Sequence, residues 1–268
     1  MLKTRTRLTA RVMPCLLVHN GRLVKTIKFA KPSYVGDPIN AIKIYNEKEV
    51  DELILIDIRA TTERRPPPFD LIEDVASECF MPLTYGGGIT SIEDIRRIFG
   101  LGVEKVAINS RAAEEPDFIR EAAEHFGSQS IMAVIDVKKT MFGKYIVHSH
   151  SGKKSVRIDP VTYAKTMQQM GAGEILLNSI DNDGLMTGYD VNLLKSVTAA
   201  VDIPVIALGG AGEFDDLIKA VKLGGASAVA AGSLFVYQGR NRAVLINFPP
   251  REELENALAV SYSAEKNR

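Results

Sequence analysis

The chain has 268 residues, of which 46% are hydrophobic and 25% charged, and this composition suits one globular domain with a large core. The 33 acidic and 33 basic side chains give a formal net charge of zero, which argues against nucleic acid as a partner. No apolar run has the length of a secretion signal core or a membrane span, so we expect a cytoplasmic protein without a membrane span.

We expect a single domain over 1–268, with an N-terminal extension at 1–10 and a flexible tail at 261–268. Cys15 and Cys79 lie in apolar segments and form no CxxC pair, which predicts buried thiols rather than a disulfide or a zinc site. His148 and His150 alternate along one predicted strand without a third ligand. We therefore expect no metal and no cofactor.

Eight short apolar runs alternate with amphipathic stretches, which is typical of parallel strands connected by helices. Helix starts are marked by Asp37-Pro38, by a capping box from Ser91 to Asp94, and by Glu115-Pro116. No break in the spacing indicates the strand-order reversal of an open sheet, so we predict an α/β fold, a single closed (β/α)8 TIM barrel. The predicted strands are 11–18, 53–58, 82–86, 105–109, 131–137, 174–179, 204–209 and 228–233, each followed by a helix.

The sequence contains an internal repeat. Residues 81–111 align without gaps on 203–233 at a constant offset of 122, with proline, paired glycines, aspartate and leucine coinciding. The same offset places Glu52 on Glu174, at the starts of the second and sixth strands. We therefore predict a barrel of two half-barrel repeats, in which a ligand site in one half has a counterpart in the other.

Glycine-rich or polar turns follow four of the predicted strands, at the end of a barrel where ligands bind. Glycine lets backbone N–H groups approach an anion, and the start of the next helix favours phosphate. We predict two phosphate cradles, one in each half; the alternative is that the glycines only form tight turns. The predicted ligand-binding residues are Gly87, Gly88, Asn109 and Ser110 in one half, and Gly209, Gly210, Gly232 and Ser233 in the other.

Asp136 ends the apolar fifth strand and is the candidate general acid or base, because a carboxylate there is costly unless it faces a cavity. Its counterpart in the first half is Leu17, so one carboxylate of an expected pair is missing. The alternative for Asp136 is a structural partner of Lys138 or Lys139.

Two further polar loops are candidate ligand contacts. Asp181, Asp183 and Gly184 follow the sixth strand and either bind ligand hydroxyls or form an Asx turn. Lys153 and Lys154 follow a predicted hairpin after the fifth strand and are either anion donors or solvated charges.

Four charged residues begin strands at the opposite end of the predicted barrel. Arg11, Glu52, Lys105 and Glu174 stand at the starts of the first, second, fourth and sixth strands. Two cations and two anions there can form a salt-bridged plug, which by default stabilises the fold.

Along most of residues 11–236 the chain resembles HisF, the cyclase subunit of imidazole glycerol phosphate synthase. The resemblance rests on PCLLVHNGRLVK, GDP at 36–38, DELILIDI, YGGGI, KVAIN, FGSQ, AVIDVK, SGKK, GAGEILLNSIDNDG, GYD and GGAG. It implies a substrate with a phosphate at either end, and a HisH-like glutaminase on the N-terminal face whose ammonia passes the four charged residues as a gate. The residues it places at the phosphates are Gly88, Asn109 and Ser110 at one, and Asp183, Gly184, Gly210 and Ser233 at the other.

One position departs from the family's pattern. Where the family motif PCLDV has an aspartate that acts as catalytic acid or base, this chain has Leu17, which cannot transfer a proton. Loss of one member of an acid–base pair removes roughly 10²–10⁴ in rate. A retained gate with a damaged cyclase site resembles the HisF-like branch that supplies ammonia to a sugar amidotransferase, which makes acetamidino groups in lipopolysaccharide and other surface glycans.

Three functions remain for such a chain. It channels ammonia for sugar amidation, or it is a genuine cyclase of histidine biosynthesis in which another group replaces Leu17, or it is a non-catalytic scaffold that activates a glutaminase. The first is favoured because the gate residues are present while Asp136 lacks its partner. The enzyme class stays open between a lyase and an amidotransferase subunit of the imidazole glycerol phosphate synthase type.

Overall fold

The computed structural model of the chain describes residues 8–239 and 241–260. At its centre, eight parallel strands form a closed ring in which each pairs with its neighbours, and this confirms the predicted (β/α)8 barrel. Every observed strand overlaps its predicted segment. The barrel strands are β1 (Arg11–His19), β2 (Leu53–Asp57), β3 (Leu83–Gly86), β4 (Lys105–Ile108), β5 (Ile131–Lys139), β6 (Glu174–Ser179), β7 (Val205–Leu208) and β8 (Ala228–Ala231).

Helices cover the outside of the barrel, and their predicted starts are confirmed. Asp37 accepts the N–H of Asn40, and Ser91 and Asp94 form a reciprocal capping box. The main helices are α1 (Pro38–Glu47), α2 (Phe69–Glu78), α3 (Ile92–Gly100), α4 (Asp117–Phe126), α5 (Pro160–Gln169), α6 (Val191–Thr198), α7 (Phe214–Lys222) and α8 (Arg251–Leu258), and the short helical segments are Ser110–Glu114, Ser128–Ser130 and Ser233–Val236.

The core has two parts because the strands are buried on both faces. The larger part lies between the strands and the helices. The smaller part fills the inside of the barrel with apolar side chains, and Cys15 belongs to it as a buried free thiol. The members of this inner cluster are Met13, Cys15, Ile54, Ala107, Met132, Leu176, Ile206, Ala228 and Ala230, with Leu17, Ile56, Val134 and Leu208 packed against it.

Two β-hairpins extend the sheet beyond the carboxyl ends of opposite strands. The strand Arg22–Ile27 pairs antiparallel with β1 and then with Ala30–Gly36, so a hairpin and not a helix directly follows β1. Its turn is Asn20-Gly21, with φ angles of 51° and 72°, as a tight two-residue hairpin requires. The hairpin predicted after the fifth strand is present, because Tyr145–Ser149 pairs antiparallel with β5.

The strand register confirms the repeat but corrects its alignment. Thr84 lies opposite Ile54, and Ile206 lies opposite Leu176, which agrees with the offset of 122. However, Tyr85 lies opposite Val106 while Ala207 lies opposite Val229, so β4 and β8 are offset by 123. The gap-free alignment is therefore wrong here, because the turn after α7 has one residue more than the turn after α3. The register makes Gly232 the counterpart of Asn109 and Ser233 that of Ser110.

The ends of the described chain meet, because Leu8–Thr9 pairs antiparallel with Ala259–Val260. The predicted tail at 261–268 and most of the N-terminal extension lie outside the described residues. Within the described ranges, no helix combines the length and the apolar character needed to cross a membrane.

Candidate functional site

A cavity of about 220 Å³ opens at the carboxyl ends of the barrel strands. Both predicted phosphate cradles and the candidate acid–base residue belong to this one cavity. The predicted residues that line it are Gly87, Gly88, Asn109, Ser110, Asp136, Asp183, Gly184, Gly209, Gly210, Gly232 and Ser233. The four charged residues predicted as a plug do not line it.

The glycine turns are required by backbone geometry. Gly87 and Gly210 both have a φ of +116°, which favours glycine. A Cβ on Gly87 would lie 2.4 Å from the carbonyl oxygen of Asp57, and one on Gly210 would lie 2.2 Å from that of Gly188. The turns thus fold back closely on the neighbouring loops, and the same lack of side chains leaves their inner surface open to a ligand.

Asn109 and Ser110 brace the end of β4. The Asn109 Nδ2 donates to the carbonyl oxygens of Val134 and His148, at 3.1 and 3.3 Å, which ties β4 to β5 and its hairpin. The Ser110 hydroxyl donates to Asn109 Oδ1 and accepts the backbone N–H of His150 at 3.0 Å. Asn109 therefore acts as a positioning residue, because both donors of its amide are already engaged.

The second cradle is completed by a residue from the first hairpin. Lys25 is 5% exposed and lines the cavity, and a Cβ on Gly232 would lie 1.9 Å from its Nζ, so the ammonium group lies directly over that turn. Asp183 accepts a 3.0 Å hydrogen bond from the Thr26 hydroxyl. Burial raises the pKa of Asp183, and the charge of Lys25 opposes this shift. The Asp183 loop therefore holds the hairpin over the cavity.

Asp136 is buried in the cavity wall. Burial raises its pKa to about 7, against a 3.1 Å hydrogen bond from Asn178 Nδ2 that lowers it, and the charge of Asp183 adds to the increase. Lys139 pairs instead with Asp190 at 2.8 Å, and within the described part of the chain neither Lys138 nor Lys139 forms an ion pair with Asp136. The alternative of a structural lysine partner for Asp136 is therefore wrong.

The floor of the cavity differs between the two halves. In one half Leu17 lies opposite Ile56 in the ladder of β1 and β2, and in the other Asp136 lies opposite Asn178 in the ladder of β5 and β6. All four side chains line the cavity. One side of the floor is thus hydrocarbon and the other side carries hydrogen-bonding groups.

The charged residues at the amino ends of the strands form one ion-paired ring. Arg11 contacts Glu52 at 2.6 Å and Glu174 at 2.5 Å, and Lys105 contacts both carboxylates at 3.0 Å. Thr84 adds a 3.0 Å hydrogen bond to Glu52. Burial alone would lower the pKa of Arg11, but the charges of Glu174 and Glu52 raise it. The ring closes the barrel at the end opposite the cavity.

Metal-binding geometry is absent from the part of the chain that the structure describes, where no three His, Cys, Asp or Glu side chains are grouped to hold an ion.

Comparison with known proteins identifies the family. The sequence profile of the family described as "Histidine biosynthesis protein" matches residues 11–241. A protein of Pseudomonas aeruginosa, provisionally named imidazole glycerol phosphate synthase subunit hisF2, is 51% identical over 245 residues, 91% of this chain and 98% of the relative. The chain belongs to the HisF family. Similarly named relatives of Leptospira interrogans and Vibrio vulnificus are 49% and 48% identical, over 92% and 94% of this chain and 98% and 97% of their own.

Membership of the HisF family confirms the resemblance drawn from the sequence motifs. The floor of the cavity has Leu17 at the position where the motif resemblance implies an aspartate.

Three residues of the site were not predicted from the sequence. Lys25 and Thr26 belong to the first hairpin, whose signal was the Asn-Gly pair at 20–21 between two apolar runs. Asn178 lies on β6, and the constant offset of 122 from Ile56 would have shown that the two halves differ at this position.

Proposed function

We propose that this chain is a HisF-like subunit that receives ammonia from a HisH-like glutaminase and channels it through the barrel for amidation of a sugar in surface-glycan biosynthesis. In this proposal the glutaminase docks on the N-terminal face, the pair works in the cytoplasm, and a separate sugar amidotransferase consumes the ammonia. The observation that carries it is the floor of the cavity, where Leu17 and Ile56 occupy the positions that Asp136 and Asn178 hold in the other half, while the charged ring is complete.

The inside of the barrel supports a path for neutral ammonia. The ring of Arg11, Glu52, Lys105 and Glu174 closes one end, and the apolar inner cluster lies between it and the cavity. An apolar layer disfavours ions, because burying an unpaired charge is costly, but it admits a small neutral molecule. If the ring opens on the glutaminase side, neutral ammonia can therefore cross the interior, whereas ammonium and other ions are excluded.

The cavity supports a phosphorylated small-molecule ligand. Lys25 supplies a buried positive charge at the turn of Gly232, and the Gly87 and Gly210 turns offer open backbone on either side. Burial strengthens the interaction of such a cation with an anionic group. The cradles recognise the phosphate groups of the ligand. In this proposal the amidation reaction determines the rest of its structure.

The genuine cyclase is the second candidate, and one observation favours it. Asp136 lies in the cavity with a pKa of about 7, where a carboxyl group is suited to both giving and accepting a proton at neutral pH. For this function another group would have to perform the proton transfer that Leu17 cannot.

The deciding experiment measures imidazole formation from the phosphorylated precursor of the HisF family with excess ammonium, which removes the need for a glutaminase. The native chain, Leu17→Asp and the isosteric control Leu17→Asn are compared. The proposal expects no turnover above background in the native chain and in Leu17→Asn. In Leu17→Asp, the rate of imidazole formation should exceed that of the native chain by a factor of about 10² or more. Substantial turnover in the native chain would return the protein to histidine biosynthesis.

A third candidate, a scaffold that only activates the glutaminase, is distinguished from an ammonia channel by tracing the amide nitrogen of glutamine. With amide-¹⁵N glutamine, the glutaminase and the sugar amidotransferase, the proposal expects ¹⁵N in the sugar even when unlabelled ammonium is present in solution. Glutaminase activation with label appearing only in free ammonium would instead identify a scaffold.

A further inference from the structure

Arg59 is a cationic residue of the cavity whose side chain has no partner among the described residues. It lies in the loop between β2 and α2, is half-buried, and lines the cavity. Arg65 of the same loop, by contrast, contacts Asp57 at 3.4 Å and Glu63 at 2.8 Å. The pKa of Glu63 is lowered mainly by its hydrogen bond from Arg65, and the charge of Arg59 adds a smaller part. A half-buried guanidinium without an acceptor suits a ligand that supplies one.

The backbone at Arg59 is fixed by hydrogen bonds on both sides. Asp57 Oδ1 accepts the backbone N–H groups of Arg59 and Ala60, both at 2.9 Å. The carbonyl oxygen of Arg59 accepts the N–H of Glu63 at 2.9 Å and the hydroxyl of Thr62 at 3.1 Å. A ligand that binds Arg59 therefore has to order its side chain but not its loop, which lowers the entropic cost of binding.

The loop of Arg59 packs directly on the first cradle. Thr61 Oγ1 accepts the backbone N–H of Gly88 at 3.3 Å, and a Cβ on Gly88 would lie 3.0 Å from the Cβ of Ala60. Arg59 is two residues from the first of these contacts and one from the second. A cation at this position therefore lies beside any phosphate that occupies the first cradle.

The carboxylates that line this side of the cavity are already paired. Asp57 contacts Arg65, and Glu114 contacts Lys154 and the ring of His150, both at 3.3 Å. They are therefore not available to neutralise a further cation.

Lys153 adds positive charge on the same side. It is exposed, lines the cavity, and forms no ion pair within the part of the chain that the structure describes. The hydroxyl of Ser151 donates to the carbonyl oxygen of Ile58 at 2.8 Å, which joins the loop of Lys153 to that of Arg59. An anion beside Arg59 is therefore favoured by the charges of both residues.

The equivalent position in the other half offers no cation. The offset of 122 places Arg59 on Asp181, and it holds up to the preceding residues, because the N–H groups of Ile58 and Ile180 make equivalent hydrogen bonds to β1 and β5. Asp181 does not line the cavity, and its Oδ2 accepts the backbone N–H of Lys139 at 2.7 Å. The cation at Arg59 is therefore a feature of one end of the cavity.

We propose that Arg59 binds a second oxyanion of the ligand, beside the phosphate in the first cradle. This end of the cavity then takes a diphosphate ester, or a phosphate with a neighbouring carboxylate group. A guanidinium has N–H donors in a planar fork that matches two oxygens of either group. The inference rests on the phosphorylated ligand of the proposed function and names its chemical class, but it does not depend on the path of ammonia.

NMR of the arginine side chains tests the site directly. The full chain is labelled with ¹⁵N at arginine, and the Nε–H signal of Arg59 is assigned by its loss in Arg59→Gln. It is titrated at constant ionic strength, without divalent metal ions, with pyrophosphate, phosphonoacetate or orthophosphate. Pyrophosphate has a second phosphate group, phosphonoacetate has a carboxylate in its place, and orthophosphate has neither.

We expect the Arg59 signal to shift with pyrophosphate or phosphonoacetate at a concentration at least about tenfold below that which orthophosphate requires. The probe of the two that binds more tightly identifies the second group as a phosphate or a carboxylate.

Arg64 provides the matched control for calorimetric titrations. It is an exposed residue of the same loop, does not line the cavity, and forms no ion pair with any described residue. Arg59→Gln should raise the dissociation constant of the tighter of the two probes about tenfold or more, and that of orthophosphate much less. Arg64→Gln makes the same change in net charge and should leave both constants nearly unchanged. Circular dichroism checks that each variant is folded.

An Arg59 signal that moves with none of the three probes would overturn the proposal. Equal weakening of the tighter probe and of orthophosphate in Arg59→Gln would also overturn it, and so would equal effects of Arg59→Gln and Arg64→Gln, because each would show an effect of charge without recognition of a second group. Failure of the proposed function looks different. Labelled nitrogen that never reaches the sugar, with the effect of Arg59 intact, would contradict channelling and leave this site standing.

Discussion

Leu17 and Asp136 occupy the same strand position in the two halves of the barrel. Each lies beside the equivalent residue of the next strand, Ile56 for Leu17 and Asn178 for Asp136. At this pair of matched positions there is therefore one carboxyl group, where a symmetric pair of halves would have two. Because burial raises the pKa of that group to about 7, its protonation changes in the physiological range.

The raised pKa of Asp136 predicts a pH-dependent stability difference. Its folded pKa lies above its unfolded value, so the stability it contributes is fully present below the unfolded pKa and is lost as pH rises through about 7. Asp136→Asn removes this loss. Between pH 4 and pH 8, the free energy of unfolding of the variant should therefore rise relative to that of the native chain, by at most about 4 kcal/mol. Urea unfolding across this range measures it.

Asp159 offers the control, because hydrogen bonds from Thr162 lower its pKa at the start of α5. Its contribution is lost only as pH falls through that lowered pKa, so Asp159→Asn should differ from the native chain by a constant amount between pH 5 and pH 8. Parallel curves for Asp136→Asn as well would contradict the burial of its charge.

The ion-paired ring predicts unequal roles for its two glutamates. The Glu52 side chain is 4% exposed and contacts Arg11, Lys105 and Thr84, whereas that of Glu174 is 12% exposed and contacts the two cations. Breaking a buried ion pair from one side costs about 3–5 kcal/mol. Glu52→Gln should approach that loss in the free energy of unfolding, and Glu174→Gln should lose less; equal losses would mean that water reaches both carboxylates.

Gly210 and Gly143 form a matched pair for the cradle. Both have positive φ, but a Cβ on Gly210 would meet the carbonyl oxygen of Gly188 while one on Gly143 would meet nothing within 4 Å. Gly143→Ala should cost about 1–2 kcal/mol from its conformation alone. Gly210→Ala should lower the free energy of unfolding by more, measured by heat or urea, and should also weaken phosphate binding. Equal stability of the two variants would show that the loop at Gly188 moves aside without a large energetic cost.

A comparison of Lys25 with Lys153 tests which of the two ammonium groups binds a phosphate anion in the cavity. Both line the cavity, but Lys25 is buried over Gly232 and Lys153 is exposed. Lys25→Met should weaken binding of inorganic phosphate about tenfold or more, since hydrogen bonds to charged groups are worth about 1.5–3 kcal/mol. Lys153→Met should change it little in the same calorimetric titration, and the reverse order would place the anion at the mouth.

The barrel could be predicted from the sequence because its strands are apolar throughout and its helices begin at strong capping signals such as Asp37 and Ser91. The repeat also predicted which turns of one half have a counterpart in the other. The single additional residue after α7 was missed because the gap-free alignment kept Leu101 on Leu223 and Gly102 on Gly224, and the shift begins only beyond them.

The chemistry of the cavity was less accessible from sequence. That Lys25 is buried, that the Asn109 amide is engaged, and that Asp136 has a raised pKa all depend on contacts between residues far apart in the chain. Local patterns place residues on strands and turns. They do not show which donors are already occupied.

In a barrel made from two similar halves, each position of the wall occurs twice, once in each half. At the floor, one half has hydrocarbon and the other has a carboxyl group, yet the ladders beneath both are equivalent. A difference of this kind changes the chemistry of the floor without a difference in the strand pairing beneath it. The floor positions can therefore determine which reaction the cavity supports, while the ion-paired ring at the opposite end and the strand register determine the fold.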